Sequence, residues 1–369
     1  MEPPIVITNG VVFTGNAFVE GLAVMITNGK IAGLIPPDGI PEEAEIFDVG
    51  GDVVAPGFID LQVYGGGGRL FSADPAGDAL DEIANALVAG GTTSFMITMA
   101  TNTMAVVDQS LQVLNGYTHP ALLGLHLEGP YLNPNRRGAH PAEYIRQPEQ
   151  WEIAALLKRA KGRLRMMTIA PERFNGETIR LLLDAGVVLS AGHSDASFSE
   201  ATAGFSHGIQ AVTHLFNAMS PLHHRNPGLP AAVFQSDKVV ASIIADGIHV
   251  DYEVIAISKK LLNERLFLIT DAVAETQTGI YRHVFNGDRY SLPDGTLSGS
   301  SLTMMQAVAN CVERVGIPLD EALRMASLYP ALLIGEEDLG RISVGSVANL
   351  VVFDQQYSVK HVFLGGSPQ

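Results

Sequence analysis

Four side chains suited to metal binding or proton transfer each stand at the end of a short apolar run of the sequence. Glu128 ends the run "LLGLHLE", and His193, His214 and Asp271 follow the runs "VVLSAG", "QAVT" and "LFLIT". One carboxylate and two imidazoles form a typical ligand set for a catalytic divalent ion and leave a position for water. We therefore predict that Glu128, His193 and His214 bind one divalent metal ion. Asp271 is then predicted to be the general base.

These side chains need a scaffold that brings several strand ends together, and the sequence from residue 53 onward has the pattern of one. Apolar runs alternate there with helical patterns such as residues 78–90, 149–160 and 178–186. Eight strands that alternate with helices predict a (β/α)₈ TIM-type barrel, whose active site lies at the carboxyl ends of the strands. A lone histidine at a strand end is more often structural, but four such groups in one barrel favour a shared site. The predicted strands are "GFIDLQVY", "TTSFMITMA", "ALLGLHLEG", "RMMTIA", "GVVLSAGHS", "QAVTHLF", "VVASIIADG" and "LFLITDA".

The two ends of the chain have a different pattern from the middle. Residues 1–52 contain short alternating runs broken by turn signals, which predict hairpins of a small antiparallel sheet, and residues 340–369 return to this pattern. We predict that residues 1–52 and 340–369 together form a small β-sandwich and that residues 53–339 form the barrel. The predicted fold class is therefore α/β.

Composition and charge narrow the class of protein. Hydrophobic residues make up 47% of the chain and charged residues 17%, which indicates a compact protein with a large apolar core. A formal net charge of -16, with no basic run, disfavours nucleic acid and anionic membranes as partners. The sequence shows no secretory signal pattern and no uncharged apolar run long enough to span a membrane. It contains a single cysteine, Cys311, so no disulfide can form within the chain. We therefore predict a cytoplasmic protein.

The loops after the predicted strands carry further polar groups. His140 lies in the loop after Glu128, where it is predicted either to donate to a developing oxyanion or to be a solvated loop residue. Asn217 and Arg225 follow the sixth strand, and His249 follows the seventh. In an acidic protein, this local collection predicts a small-molecule substrate with an anionic group.

The remaining histidines are predicted to be structural or exposed. His126 lies two residues before Glu128, so it points the same way along the strand but deeper in the barrel, where a core layer is expected. His283 stands in a loop context and receives no predicted role in the site.

Eight segments can be compared with known families as a series: "PGFIDLQ", "HLEGPYLNP", "GHSDAS", "THLFNAMSPLHHRNPG", "ADGIHV", "LITDA", "DGTLSGSSLTM" and "ANLVVFD". Together and in this order they resemble the N-acetylglucosamine-6-phosphate deacetylases, a branch of the amidohydrolase superfamily. The resemblance implies a homodimer whose subunits each have a (β/α)₈ barrel and a small β-sandwich. It also implies hydrolysis of the N-acetyl group of N-acetyl-D-glucosamine 6-phosphate to glucosamine 6-phosphate and acetate, with a metal-activated water as nucleophile.

Matched motif by motif, the resemblance implies the same metal ligands, with Asp271 as catalytic base and acid and His140 as a contact of the substrate carbonyl. Asn217, the backbone of Ala218 and His249 match contacts to the sugar or its phosphate. Arg225 matches a phosphate ligand that reaches into the neighbouring subunit, so the dimer is expected to complete the site.

The end of the first barrel strand differs from that of many amidohydrolases. They have His-x-His there, where the two histidines hold a second metal ion, whereas this chain has Gln62-Val63-Tyr64. A subset of the deacetylases has Gln-x-Asn and uses one metal; Gln62 follows that subset and Tyr64 departs from it. We predict one metal ion per subunit, zinc first, with iron, manganese or cobalt accepting the same ligands. Gln62 and Tyr64 are predicted to line the substrate pocket.

Three other functions are consistent with part of the pattern. One is a deacetylase of the N-acetylgalactosamine epimer or of another acylated amine, because the motifs do not decide a single hydroxyl contact. Another is a non-catalytic barrel kept for assembly or sugar-phosphate binding, which would be expected to lose the ligands or the base that this chain retains. The third is a barrel isomerase, which would hold phosphate with backbone groups where this chain has "DGIHV" and "LITDA".

Overall fold

The computed structural model describes residues 3–369. Short strands precede the barrel, and the turn between two of them contains Asn28 and Gly29 with φ of 52° and 75°. Such a left-handed Asn-Gly pair suits a tight hairpin. The strands are β1 (Ile5–Thr8), β2 (Val11–Phe13), β3 (Phe18–Val19), β4 (Ala23–Thr27), β5 (Lys30–Ile35), β6 (Glu45–Asp48) and β7 (Val53–Pro56).

Eight parallel strands form the central sheet, and neighbours in the sheet are consecutive barrel strands in the sequence. The first two are buried along their whole length, as expected for strands with helices on one side and the barrel interior on the other. The strands are β8 (Phe58–Val63), β11 (Thr92–Ala100), β12 (Leu122–Glu128), β13 (Leu164–Ile169), β14 (Val188–Ala191), β15 (Ala211–Val212), β16 (Val240–Ile243) and β17 (Leu266–Leu268). The small hairpins β9 (Gly65–Gly66)/β10 (Arg69–Leu70) and β18 (Val284–Phe285)/β19 (Tyr290–Ser291) follow the first and the last of them.

Backbone hydrogen bonds between the first and the eighth barrel strand close the sheet. The N–H of Tyr64 donates to the carbonyl of Ala272 at 2.9 Å, and the N–H of Asp271 donates to the carbonyl of Gln62 at 3.0 Å. The predicted (β/α)₈ barrel is confirmed, and all the predicted strands lie in it. Closure also places Gln62 beside Asp271, although 209 positions separate them in the chain.

Helices cover the outside of the barrel, and three of them coincide with the predicted helical patterns. No helix within residues 3–369 is long and apolar enough to cross a membrane. The helices are α1 (Gly77–Ala89), α2 (Met104–Gly116), α3 (Gln150–Ala160), α4 (Gly176–Asp184), α5 (Phe198–Ser206), α6 (Gly228–Gln235), α7 (Tyr252–Leu262), α8 (Met304–Asn310) with a π-helical continuation over Cys311–Val315, α9 (Leu319–Ala326) and α10 (Leu328–Leu333). Single 3₁₀ turns lie at Pro37–Gly39, Pro134–Arg136, Ala142–Tyr144, Pro171–Arg173 and Asn263–Arg265.

The terminal strands form two further sheets, which enclose their own apolar core. One sheet has the order β5-β4-β1-β6, and the other joins both ends of the chain in the order β22 (Ser367–Pro368), β21 (Val359–Leu364), β20 (Leu350–Phe353), β7, β2, β3. Val54 and Val352 belong to the core of this unit with Ile7, whereas their neighbours Ala55 and Phe353 belong to the barrel core. The period of two along these strands thus lets one sheet serve both cores.

The pairing of the amino-terminal strands corrects the prediction of purely antiparallel hairpins. β4 and β5 are antiparallel, but β1 pairs with β6 and β2 pairs with β7 in parallel. The chain alternates between the two sheets, so β1 and β2 do not pair although they are adjacent in sequence. Local patterns predict strands, whereas the partner of each strand depends on distant contacts. The limits of the units at residues 52/53 and 339/340 stay a prediction.

Asp60 is a buried carboxylate that links the first and eighth barrel strands. Its Oδ1 accepts hydrogen bonds from the N–H groups of Gln62 (3.1 Å) and Thr270 (3.3 Å), and its Oδ2 accepts one from the Thr270 hydroxyl. Burial raises the pKa of Asp60 to about 6, although these hydrogen bonds act in the opposite direction. The join between the two strands therefore contains a group that titrates above its ordinary range.

We expect Asp60 to make the free energy of unfolding depend on pH between about 4 and 6. Its pKa of about 6 in the folded protein lies above the ordinary 3.8, so the folded state binds the proton more tightly than the unfolded chain does. The stabilisation is present below about pH 4 and is lost as the pH rises through about 6, a total change of about 3 kcal/mol. Denaturant unfolding of the wild type and Asp60→Asn across this pH range measures it, because the difference between the two free energies should shift by that amount. Parallel pH profiles for the two proteins would contradict the assignment.

Candidate active site

The four side chains predicted from strand ends meet at the carboxyl end of the barrel. Glu128 is the last residue of β12, His193 and His214 follow β14 and β15, and Asp271 follows β17. All are buried, with 2 to 8% of their surface exposed. The backbone of His193, His214 and Asp271 is left-handed, with φ of 49°, 33° and 56°. Non-glycine residues seldom adopt this conformation, and it is concentrated at functional sites where the surroundings impose it.

Three potential ligand atoms of this group form a compact triangle. Nε2 of His214 lies 3.1 Å from Oε1 of Glu128 and 3.1 Å from Nε2 of His193. Nε2 of His193 lies 3.3 Å from the same Oε1. Ligands bound to a tetrahedral zinc ion at about 2.0–2.1 Å are about 3.3 Å apart. The three atoms therefore fit one face of a tetrahedral metal site.

His140 also belongs to this cluster, but its hydrogen bonds give it a different role from His193. Glu128, His140 and His193 lie close enough together to hold a metal ion. The N–H of Thr101 donates to Nδ1 of His140 at 3.2 Å, so the ring proton sits on Nε2, which donates to Glu128 Oε2 at 3.0 Å. In His193 the order is reversed, because Nδ1 faces the carbonyl of Arg136 at 2.9 Å and must carry the proton, which leaves Nε2 for a metal. His193 thus suits a ligand, and His140 suits a hydrogen-bond donor.

Gln62 and Tyr64 face the same carboxylate from the first barrel strand. Nε2 of Gln62 lies 3.1 Å from Glu128 Oε1, 2.8 Å from Asp271 Oδ1 and 2.9 Å from the Tyr64 hydroxyl oxygen. Because an ionised carboxylate only accepts hydrogen bonds, the amide nitrogen of Gln62 must be the atom that faces Glu128. The Tyr64 hydroxyl in turn donates to Glu128 Oε2 at 2.5 Å. This strand end therefore supplies hydrogen-bond donors to the site.

The pKa values of the two neighbouring carboxylates are displaced in opposite directions. Burial raises the pKa of Asp271 to about 8, with His214 opposing and Glu128 adding to the rise. Burial would also raise the pKa of Glu128, but its interactions with His193, His140 and His214 hold it well below the usual value. These surroundings therefore favour the ionised form of Glu128 and bring the pKa of Asp271 close to neutral pH. Paired carboxylates displaced in this way indicate an acid–base group beside an electrostatic one.

A cavity of about 280 Å³ opens over these groups. Most of the predicted substrate contacts lie in its wall, including Asn217 and Ala218 after β15, and Gln62 lies behind Tyr64. Two predicted contacts are not in the wall of this pocket within residues 3–369: Arg225 is exposed, and Gln62 is buried beside the Tyr64 hydroxyl. The predicted side chains that reach the cavity are Tyr64, Glu128, His140, His193, His214, Asn217, His249 and Asp271.

His249 is held in the pocket wall by a carboxylate three residues before it. Oδ2 of Asp246 lies 2.6 Å from Nδ1 of His249, and its Oδ1 accepts the backbone N–H groups of Ile248 at 2.9 Å and His249 at 2.8 Å. Burial opposes ionisation of Asp246, but the hydrogen bonds with His249 lower its pKa below the ordinary value. Since Nδ1 is engaged, Nε2 of His249 is the nitrogen left to meet a ligand.

Two aromatic residues in the pocket wall have no predicted role. Tyr281 and His283 are buried, their rings stack at 5.9 Å with an interplanar angle of 9°, and both line the cavity. The Tyr281 hydroxyl donates to the carbonyl of Thr101 at 2.6 Å, and Nδ1 of His283 lies 2.9 Å from the Ser298 hydroxyl. The available signal was the i, i+2 spacing of the two rings just before a hairpin, which places them on one face.

Glu172 joins two of the loops that carry the site. It lies in the turn after β13, where Oε1 accepts from Asn133 Nδ2 (2.8 Å) and the N–H of Asp195 (2.7 Å), and Oε2 accepts from the Ser194 hydroxyl (2.7 Å). Asn133 belongs to the loop that carries His140, and Ser194 follows the proposed ligand at position 193. This carboxylate therefore sets the spacing between the loops after the third and fifth strands.

This fold and site define a barrel hydrolase with a metal-binding cluster at the carboxyl ends of its strands. Residues 53–368 match the amidohydrolase family, and residues 6–54 match the NagA composite domain. The chain belongs to the amidohydrolase family.

Individual relatives support the same assignment. The chain is 36% identical to an N-acetylglucosamine-6-phosphate deacetylase of Haemophilus influenzae, with 97% of each protein covered. It is 31% identical to an N-acetylgalactosamine-6-phosphate deacetylase of Escherichia coli O157:H7, with 96% of each covered. A crystal structure of N-acetylglucosamine-6-phosphate deacetylase from Pasteurella multocida superposes with a TM-score of 0.96 at 33% identity over 99% of both chains. The resemblance found in the sequence motifs is therefore confirmed.

We expect Glu172→Gln to lower the free energy of unfolding by about 2 kcal/mol, because hydrogen bonds to a charged acceptor contribute about 1.5–3 kcal/mol. The NH₂ group of the new glutamine would also lie against groups that now donate hydrogen bonds to Glu172, and two donors cannot pair. Denaturant titration measures the change, with Glu177→Gln as the matched control, since Glu177 is an exposed residue of the next helix. Surface substitutions of that kind usually stay within about 0.5 kcal/mol. Equal stabilities for the two variants would show that Glu172 does not hold the loops.

Proposed function

We propose that this protein hydrolyses the N-acetyl group of N-acetyl-D-glucosamine 6-phosphate to glucosamine 6-phosphate and acetate. One observation carries the proposal: the triangle of Glu128, His193 and His214 adjoins the buried Asp271 in a single pocket of an amidohydrolase barrel. The name of the Haemophilus influenzae relative supports the choice of substrate.

Glu128, His193 and His214 are proposed to hold one divalent ion per subunit. Zinc is proposed, and iron, manganese and cobalt accept the same ligands. A bound ion would polarise the amide carbonyl and lower the pKa of a coordinated water from 15.7 to about 7. Gln62 and Tyr64 support a single ion, because they meet Glu128 as hydrogen-bond donors and offer no imidazole.

Asp271 is proposed as the base that accepts a proton from the attacking water and the acid that returns it to the departing amine. Its pKa of about 8 suits exchange near neutral pH. The return step is needed because an amide nitrogen leaves poorly unless it is protonated. The Nε2–H of His140, which meets Glu128 in this structure, is proposed to donate to the substrate carbonyl oxygen as negative charge develops there.

The sugar and phosphate are proposed to contact Asn217, the backbone of Ala218 and His249 on one side of the pocket. No lysine or arginine lines the cavity in the described part of the chain. A phosphate would therefore lack a permanent cation within one subunit. We propose that Arg225, exposed on its loop, supplies this charge to the neighbouring subunit of a cytoplasmic homodimer.

A second candidate is deacetylation of the N-acetylgalactosamine epimer. The Escherichia coli O157:H7 relative with that name covers nearly the whole chain at 31% identity. The two sugars differ at one hydroxyl, and Tyr281 and His283 add polar groups to the pocket wall. Turnover of the two 6-phosphates decides between the candidates.

We expect Asp271→Asn to lose most acetate release from N-acetylglucosamine 6-phosphate while it keeps its metal. Asparagine preserves the size of the side chain but cannot exchange a proton, and the loss of a general acid–base group lowers rates by about 10²–10⁴. Acetate release and metal content should be measured on the same preparations. Asp237→Asn is the control, because it removes an exposed carboxylate that precedes β16 at the opposite end of the barrel.

Three outcomes would overturn parts of the proposal. Near-unchanged turnover in Asp271→Asn would exclude this base. Metal-replete wild type that binds the sugar phosphate and releases no acetate would favour a non-catalytic barrel. Faster turnover of N-acetylgalactosamine 6-phosphate would select the second candidate.

We expect Asp246→Asn to raise KM for the sugar phosphate about tenfold or more and to change kcat less. The substitution weakens the charge-assisted hydrogen bond that orients His249, and such bonds contribute about 1.5–3 kcal/mol. Steady-state kinetics with N-acetylglucosamine 6-phosphate measure the effect, and unphosphorylated N-acetylglucosamine serves as the comparison substrate. An equal loss with both sugars would place His249 away from the phosphate.

A further inference from the structure

Tyr64 occupies a position of the first strand that holds histidine in the His-x-His pattern and asparagine in the Gln-x-Asn pattern. Its hydroxyl is directed at Glu128. The side chain is 7% exposed, and its hydroxyl donates to Oε2 of Glu128 at 2.5 Å. The ring packs in a small apolar cluster with Leu70, Ala100 and Tyr281. Ala100 ends the second strand, so the ring contacts that strand while its hydroxyl reaches Glu128 at the end of the third.

The two oxygens of Glu128 are used differently. Oε2 accepts hydrogen bonds from the Tyr64 hydroxyl and from Nε2 of His140 at 3.0 Å. A carboxylate oxygen has about two lone-pair sites, so these two donors saturate Oε2. Oε1 accepts from Gln62 at 3.1 Å and lies 3.1 Å from Nε2 of His214 and 3.3 Å from Nε2 of His193, the other two corners of the ligand triangle. One lone pair of Oε1 is therefore left for a metal ion.

Of the two donors to Oε2, Tyr64 is the one that is not also proposed to donate to the substrate. His140 is proposed to turn its Nε2–H toward the substrate carbonyl, which would release Oε2 from one hydrogen bond. The Tyr64 hydroxyl receives a hydrogen bond from Gln62 at 2.9 Å, and this contact orients its own proton toward Oε2. The hydrogen-bonded chain from Gln62 through Tyr64 to Glu128 therefore does not depend on the Nε2–H of His140.

We propose that Tyr64 is a positioning residue for the metal site, which holds Oε2 of Glu128 so that the carboxylate presents Oε1 alone to the ion. The proposal rests on the proposed metal site formed by Glu128, His193 and His214. A carboxylate that ligates through both oxygens adds a ligand and neutralises more of the ion's charge. Restricting Glu128 to one oxygen keeps a position for water and maintains the ion as a strong Lewis acid.

Tyr64→Phe tests the proposal, because it removes the hydroxyl and keeps the ring in its apolar cluster. Tyr281→Phe is the matched control: it makes the same change in the same pocket, but the Tyr281 hydroxyl donates to a backbone carbonyl and does not contact Glu128. Chelator competition gives the zinc dissociation constant of each protein, and the visible absorption of the cobalt-substituted proteins reports the coordination number.

We expect Tyr64→Phe to bind zinc about 10- to 100-fold more weakly, as is usual when a partner of a metal ligand is removed. Its cobalt form should absorb more weakly, because d–d bands lose intensity as the coordination number rises. Tyr281→Phe should keep the wild-type dissociation constant and cobalt spectrum. Tyr64→Leu, which also removes the ring, should weaken zinc binding at least as much and provides the test if Tyr64→Phe does not fold.

Wild-type zinc affinity and an unchanged cobalt spectrum in Tyr64→Phe would overturn the positioning role. Equal losses in Tyr64→Phe and Tyr281→Phe would also overturn it, since a general effect on the pocket would then explain both. The proposed function fails in a different way, through a wild type that binds no metal or releases no acetate. The two failures are therefore distinguishable on the same preparations.

Discussion

The buried carboxylate of Glu128 is the group on which the geometry of this site depends. Its two oxygens have polar partners from four other parts of the chain within 3.3 Å. These partners come from the first strand, the loop after the third, and the ends of the fifth and sixth. A charge buried at the mouth of a barrel is stable only when such groups surround it. The contacts that make burial of Glu128 tolerable also set the positions of the imidazoles around it.

Closure of the barrel brings Asp60 and Asp271 near each other, and the pKa values of both shift in the opposite direction to that of Glu128. Asp60 links the first and eighth strands from below, and Asp271 faces the pocket beside Glu128. Burial raises the pKa of both Asp60 and Asp271, whereas Glu128 stays ionised because imidazoles contact it. Burial favours the protonated form of all three carboxylates, and the contacts with imidazoles make Glu128 the exception.

Much of the fold and of the site could be predicted from the sequence. The strand ends at Glu128, His193, His214 and Asp271 follow from apolar runs and from the rule that barrel sites lie at the carboxyl ends of strands. The parallel partners of β1 and β2 could not be predicted, because the chain alternates between two sheets. The position of His283 in the pocket wall could not be predicted for a related reason. It lies in a long loop after the last barrel strand that folds back over the pocket, and no local pattern indicates where such a loop packs.

The sequence by itself determined which chemical groups stand at strand ends, because hydrophobic periodicity and residue type are local properties. It also determined that the first strand carries Gln62 and Tyr64 in place of two imidazoles. Only the tertiary structure decided which partners these groups have. The proton positions on His140 and His193 depend on the backbone groups they meet, and the contact of Tyr64 with Glu128 joins residues 64 positions apart. These hydrogen bonds join the ends of different strands and the loops that follow them, so they exist only in the folded barrel.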